Sequence, residues 1–172
     1  TRVMGLDDLL DEIREAMRRR YQQFNLDKSL DEIRRRLDEL IDLERDTLRE
    51  RAEAGKDVQS RLGELDKLPH RLSEAIEKLK DYDFADDQAR NDFESLLEEL
   101  ENVRDLENFQ KQYGDLFHGP ESVGYSEALD LMREMQRLKQ LEEQLFSGDL
   151  EQIDLEMLGQ ALGRQAQQDF QT

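Results

Sequence analysis

The chain has 172 residues, a formal net charge of −18 at pH 7 and no cysteine. The excess of acidic residues disfavours binding to nucleic acid and to anionic membranes, because both are polyanions, and the lack of cysteine excludes disulfides and thiolate metal sites. Because the sequence has neither an apolar run of about 18 residues nor an apolar leader, we expect a cytoplasmic protein.

The composition predicts an all-α fold. Leucine far outnumbers the β-branched Ile and Val, only two prolines are present, and charged residues make up 40% of the chain. This composition is typical of long helices that have one narrow apolar stripe and broad solvated faces. We therefore predict an elongated helical bundle built from antiparallel helical hairpins.

The first two predicted helices are separated by a short interruption at Phe24-Asn25-Leu26. The first helix covers about 7–22, and the second is expected to start at an Asp27 or Ser29 cap, bend near Gly55 and end near Lys67. Their apolar positions recur every three or four residues: Leu6, Leu9, Ile13, Met17 and Tyr21 in the first, and Ile33, Leu37, Leu40, Ile41 and Leu48 in the second. The short connection predicts that these two helices pack as a hairpin.

A turn at 81–86 separates the next two predicted helices. Pro69 suits the first turn of a helix that ends near Lys80, since its missing N–H would have no intrahelical partner there. Within the turn, Tyr82 and Phe84 are expected to pack on the core, while Asp86 caps a long helix that runs towards Tyr113.

A glycine-containing segment, Gly114 to Gly124, suggests a boundary between two helical parts. The sequence therefore predicts an N-terminal helical bundle over 1–113, a linker over 114–124 and a C-terminal helical hairpin over 125–172. The hairpin consists of a helix from Tyr125 to Ser147 and a shorter one that is capped by Asp154.

No motif in the sequence predicts catalysis, a cofactor or a metal site. His70 and His118 lack the Glu-x-x-His spacing of a di-iron bundle. Asp81, Asp83 and Asp86 resemble the start of a calcium loop, but the required Gly at position six and Glu at position twelve are both aspartates. We therefore expect a protein that is not an enzyme and needs no cofactor.

Basic residues are concentrated near the start of the chain in two arginine triplets. Arg18, Arg19 and Arg20 form the first triplet, and Arg34, Arg35 and Arg36 form the second. In a hairpin that turns near Asn25, the two could form a guanidinium cluster that binds an acidic partner. Ordinary intrahelical pairing, such as Glu15 with Arg19, explains the same residues.

Acidic residues are concentrated between Asp81 and Glu101, where Arg90 is the only base. Together they form a negative ridge above the apolar stripe of Phe93, Leu96, Leu97 and Leu100. Such a ridge could steer a basic protein partner towards the chain, or it could simply be a solvated helix face. The partner-binding residues proposed here are Asp92, Glu94, Glu98, Glu99 and Glu101.

Several strings of the sequence resemble the helical region that precedes the von Willebrand factor A (VWA) domain in bacterial proteins encoded beside MoxR-type AAA+ ATPases. The charged leucine-rich run from Asn25 to Leu40 resembles that region, as do Tyr82-Asp83-Phe84-Ala85-Asp86 and Gln112-Tyr113-Gly114-Asp115-Leu116-Phe117. The end of the chain, from Asp149 to Gly159, is also similar. Residues 87–112 are a shorter stretch than the family pattern has at this place.

The resemblance implies a helical adaptor or docking region whose partner is a MoxR-type AAA+ ATPase. Since the chain lacks the metal-binding VWA domain itself, no functional residue of that family can be carried over. The alternative is a self-associating coiled-coil spacer, which would be a homo-oligomer. The interruptions at Asn25, Gly55, Pro69, Asp83 and Gly119 count against that spacer, because it needs unbroken heptads.

Overall fold

A computed structural model describes residues 5–51 and 55–147, with the side chain of Lys56 left out. The fold is all-α, as predicted. The predicted final helix near Asp154 lies outside the described residues. Seven α-helices make up most of the described chain: α1 Leu6–Gln23, α2 Asp31–Glu50, α3 Lys56–Asp66, α4 Leu72–Leu79, α5 Asp87–Leu97, α6 Leu100–Tyr113 and α7 Tyr125–Ser147.

The described chain forms two compact units. The first combines the start of the chain, up to Asp27, with the residues from Phe109 onwards, and the second is the continuous stretch Lys28–Asn108. These contact-based units have other limits than the domains predicted from sequence, 1–113, 114–124 and 125–172. Whether those domains exist stays a prediction. The contacts group the chain differently because Phe117, Gly119 and Val123 of the predicted linker are buried.

In the first unit, α1 packs on α7. Nε of Arg20 lies 2.9 Å from Oε1 of Glu134, and Nε of Arg14 lies 3.2 Å from Oε2 of Glu142, so the two helices run antiparallel. Their interface contains the apolar stripe that the sequence predicts for each helix, including Ile13 and Leu138, which are fully or almost fully buried. The helix that packs on α1 is thus α7. The prediction that the first two helices form a hairpin is wrong.

A two-residue parallel ribbon explains why α1 and α7 meet. β1, Phe24–Asn25, follows α1 directly and pairs with β2, Glu121–Ser122, shortly before α7. A single 3-10 turn, Gly114–Leu116, leads from α6 towards this ribbon. The backbone N–H groups of His118 and Gly119 donate to the carbonyls of Tyr21 and Phe24, at 3.0 and 2.9 Å. These bonds hold the end of α1 close to the start of α7.

In the second unit, α2 packs on α5 and on α3. Ile33, Leu37 and Leu40 of α2 are buried, as their spacing predicts. Where the sequence predicts one helix bent near Gly55, the structure has two: α2 ends at Glu50 and α3 begins at Lys56. Gly55 has a φ of 56°, which is strained for a residue with a side chain and therefore suits glycine.

Candidate protein-binding surface

The acidic surface consists of Asp92 and Glu94 on α5, Glu98 and Glu99 in the following turn, and Glu101 on α6. Glu94, Glu98 and Glu101 are exposed, whereas Asp92 and Glu99 are half-buried. Three of the five carboxylates are therefore exposed to solvent, where a partner can reach them.

An apolar floor lies beneath the acidic surface. Phe93, Leu96 and Leu100 alternate with the acidic residues along the chain, and all three are at most 5% exposed. Because these buried side chains fix the helices, the carboxylates above them are presented on a packed scaffold and not on a loose loop.

Short-range partners hold part of the acidic surface. Oδ1 of Asp92 accepts from Gln88 at 2.8 Å, and Oε1 of Glu101 pairs with Arg104 at 3.0 Å. Surface pairs of this kind contribute only about 0–1 kcal/mol, so a charged partner can displace them at little cost.

The start of α5 is fixed by the predicted Asp86 cap, which the structure confirms. Oδ2 of Asp86 accepts from the backbone N–H of Ala89 at 2.8 Å, and Oδ1 accepts from the hydroxyl of Thr47 at 2.7 Å. The hydroxyl of Thr47, followed by the N–H of Ala89, lowers the pKa of Asp86, because both bonds favour the charged carboxylate.

Behind this cap lies Glu44 of α2, which is completely buried. Its Oε2 accepts from the hydroxyl of Tyr82 at 2.6 Å and from the N–H of Ala85 at 3.0 Å, while its Oε1 accepts from the N–H of Asp86 at 2.9 Å. Three donors thus compensate for burying this carboxylate. We call Glu44, Tyr82, Ala85 and Asp86 the clasp.

The clasp is continuous with the apolar floor. The ring of Tyr82 meets that of Phe84 edge to face, with the centroids 4.8 Å apart, and Phe84 lies 5.3 Å from Phe93. The predicted packing of both aromatics is therefore confirmed. Burial, followed by the bond to Glu44, raises the pKa of Tyr82, so its hydroxyl remains a donor at physiological pH.

The first arginine triplet is divided between surface and core. Arg18 is exposed and pairs with Glu15, and Arg19 also lies within 3.4 Å of Glu15. Arg20 is buried and pairs with Glu134. The Arg20 guanidinium therefore stabilises the contact between α1 and α7 and is not available to an acidic partner.

The second arginine triplet lies at the start of α2, in the other compact unit. Arg34 donates to the backbone carbonyl of His70, Arg35 pairs with Glu39 at 3.0 Å, and Arg36 is half-buried. Arg34 also borders an open cleft of about 480 Å³ that has Leu65 in its wall. Two of these arginines are therefore engaged with groups of their own unit.

No set of three or more His, Cys, Asp or Glu side chains within 5–51 and 55–147 is placed to bind a metal ion. None of the helices described is both long and apolar enough to cross a membrane.

Residues 27–99 match the family model of the Mb0984 helical domain. This segment is therefore similar to a family of helical domains, and its limits nearly coincide with those of the continuous unit Lys28–Asn108. The matched segment contains α2 to α5, the clasp and most of the acidic surface. Neither the curated proteins nor the solved structures include a match to this chain.

Sequence reasoning missed Glu44, although its position carried a signal. Glu44 follows Leu40 and Ile41 and precedes Leu48 by four residues, so it occupies a place in the apolar stripe of α2. An ionisable residue at such a position is buried when the helix packs, and it then needs partners. The neighbouring turn supplies them.

Proposed function

We propose that this chain is a non-enzymatic, protein-binding helical module and that the acidic surface is its contact face. We further propose that the module works as an adaptor or docking region for a MoxR-type AAA+ ATPase, as part of a VWA-type protein. The acidic surface belongs to the packed second unit, and this observation supports the first proposal most directly.

The arrangement of the surface suits recognition of a basic partner. Glu94, Glu98 and Glu101 are exposed above Phe93, Leu96 and Leu100, so their charges can be contacted while the apolar floor remains covered. With a net charge of −18, the whole chain also attracts a basic protein over a distance of about one Debye length, roughly 8–10 Å at physiological salt. A contact of this kind mainly raises the association rate.

The more specific assignment rests on the resemblance of two strings, Asn25 to Leu40 and Tyr82 to Asp86, to the helical region found ahead of VWA domains. Both strings lie almost entirely within the segment that matches a helical-domain family, and this match supports a helical domain alone. The clasp gives the second string a physical role, because Tyr82 and the N–H groups of Ala85 and Asp86 bind Glu44.

The coiled-coil spacer is the weaker alternative. A self-associating spacer needs an apolar stripe that faces a second copy. The stripes of α1 and α7 pack on each other, and the stripe of α2 packs on α5 within the same chain. In these four helices of the described chain, the stripes that a coiled coil would use are thus covered by other helices of the same chain.

Charge reversal on the acidic surface tests the proposal. In the variant, Glu94, Glu98 and Glu101 are each replaced by Lys, and binding to a purified MoxR-type AAA+ ATPase from the same organism is measured by biolayer interferometry. We expect the affinity to fall by about tenfold or more, because attraction becomes repulsion. Added salt should weaken binding of the original chain.

The matched control reverses three exposed glutamates elsewhere in the second unit, Glu32, Glu50 and Glu64, and so changes the net charge equally. It should alter the affinity by no more than about twofold. If both variants lost affinity equally, the effect would come from net charge alone. If the first variant bound as tightly as the original chain, the acidic surface would not be the contact face. Light scattering that gives a stable dimer would favour the spacer.

A further inference from the structure

A half-open cavity of about 160 Å³ lies in the first compact unit between α1, the end of α6 and α7. Its wall includes the buried side chains of Met17, Phe109 and Met135 and the half-buried rings of Tyr21 and Tyr113. Two thioethers and three aromatic rings form a polarisable wall that can adapt to an apolar guest.

The volume of the cavity limits what it can hold. Sites for drug-sized ligands usually measure about 300–1,000 Å³, so this cavity is too small for one. A cavity of roughly 150 Å³ holds benzene. The space therefore suits a single aromatic ring or a branched aliphatic group of similar size.

Polar groups of the cavity favour a guest that carries a hydrogen-bond acceptor. Tyr21, Tyr113 and Lys139 all line the cavity, and the ammonium group of Lys139 interacts electrostatically with both hydroxyls. Within the part of the chain that the structure describes, neither hydroxyl takes part in a hydrogen bond with another residue. Burial raises the pKa of Tyr21, which keeps its hydroxyl protonated and able to donate.

We propose that this cavity binds a ring-sized apolar group next to a hydrogen-bond acceptor. An aromatic amide has this chemistry, whether it is a free small molecule or a phenylalanine side chain beside a peptide carbonyl. The site uses none of the residues of the acidic surface and does not depend on the function proposed above.

The five methionines of the chain provide a direct test. The protein is labelled with ¹³C at the methionine methyl groups, and its NMR spectrum is followed while benzamide or N-acetylphenylalaninamide is added. The signals of Met17 and Met135 should shift with a dissociation constant on the order of 1 mM. The signal of Met132, which is buried in α7 but is not part of the cavity wall, should stay in place.

Two exposed glutamines give a matched pair of blocking variants. Gln140 borders the cavity, and Gln140→Trp places an indole at its mouth, whereas Gln22→Trp makes the same change at a position outside the wall. Binding of benzamide should weaken about tenfold or more in the first variant and remain unchanged in the second. Equal binding in both variants overturns the proposal.

The acceptor requirement is tested by Tyr21→Phe, with toluene as the probe that lacks an acceptor. Loss of one hydrogen bond should weaken benzamide binding by roughly two- to tenfold and leave toluene binding unchanged. Binding of both amides supports a peptide side chain as the guest, and binding of benzamide alone supports a free molecule. The proposal is overturned if neither amide moves the Met17 and Met135 signals at about 10 mM.

Discussion

Among the described residues, each compact unit buries one acidic or basic side chain, and the two side chains are compensated in different ways. Glu44 in the second unit is 0% exposed and accepts hydrogen bonds from a phenol and two backbone N–H groups. Arg20 in the first unit is 6% exposed and pairs with Glu134, whose side chain is 22% exposed. The Glu44 carboxylate is satisfied by a phenol and two backbone N–H groups, whereas the Arg20 guanidinium is satisfied by a carboxylate that is partly exposed to water.

This difference indicates which of the two buried side chains contributes more to the free energy of unfolding. Removing Glu44 leaves two backbone N–H groups without their acceptor, and these cannot rotate towards solvent as a side chain can. Removing Arg20 leaves Glu134, which can recover part of its hydration. The second unit should therefore tolerate the loss of its buried charge less well than the first.

The largest effect is expected for Glu44→Ala. Loss of the carboxylate should lower the free energy of unfolding by about 3–5 kcal/mol, because a buried network loses its central acceptor. Urea unfolding followed by circular dichroism measures this change. Glu39→Ala, at an exposed surface pair on the same helix, should cost less than about 1 kcal/mol. Similar losses in both variants would show that the clasp contributes no special stability.

Arg20→Ala should lower the free energy of unfolding by a smaller amount, about 2–3 kcal/mol. Here the partner carboxylate is partly hydrated, which reduces the penalty below that of a fully buried pair. The same urea experiment applies, with Arg18→Ala as the exposed control in the same triplet. If Arg20→Ala destabilised the protein as much as Glu44→Ala does, the proposed difference between the two buried charges would be wrong.

Gly119 tests a contact of the first unit that involves no charge. A methyl group at this position would overlap backbone atoms of Gln22 and Gln23, and those atoms cannot move aside as a flexible side chain could. Gly119→Ala should therefore cost about 2 kcal/mol of unfolding free energy. Gly124→Ala is the matched control, since a methyl group there meets nothing within 4 Å. A thermal shift that is equal in the two variants would contradict this close approach.

The smallest effect should come from the cap of α5 and should depend on pH. Asp86→Ala removes a cap that contributes about 1 kcal/mol near neutral pH. Since folding lowers the pKa of Asp86 below its ordinary value of 3.8, the charged carboxylate adds stability above that pH, and this part is lost as the pH falls through the lowered value. The difference in urea midpoint between Asp86→Ala and the original chain should thus shrink at about pH 3.

The matched comparison for the pH effect is Asp87→Ala. Asp87 is an exposed residue that pairs with Arg90 in the same first turn and is not the cap. Its replacement should change the free energy of unfolding by a few tenths of a kcal/mol at most, and the urea midpoint correspondingly little. A difference for Asp86→Ala that stays constant from pH 7 to about pH 3 would mean that the charge of the cap adds nothing.

Most helices could be predicted from sequence because a repeated apolar stripe is a local signal. Ile33, Leu37 and Leu40 recur at helical spacing and are buried, and Asp86 caps α5 as its position predicts. Some boundaries were wrong. Neither Asp27 nor Ser29 caps α2, which begins at Asp31 after a turn, and α4 begins at Leu72, three residues after Pro69.

Long-range pairing could not be predicted in the same way. The choice of α7 as the partner of α1 depends on a ribbon of two residues per strand, Phe24–Asn25 with Glu121–Ser122, which leaves no periodic pattern. Arg20 lies on the α1 stripe, three residues after Met17, but in the sequence it stands beside two other arginines. Read as part of a triplet it suggests a surface cluster, and read as part of the stripe it suggests burial.

The discontinuous first unit has a consequence for biosynthesis. α1 leaves the ribosome before α7, which is completed only after another 124 residues have followed Gln23. At about 5–20 residues per second, α1 therefore waits on the order of ten seconds for its partner, with Ile13 and Met17 unprotected. The continuous stretch Lys28–Asn108 is complete before then and can fold first. Its folding shortens the effective loop that must close before the two ends of the first unit can join.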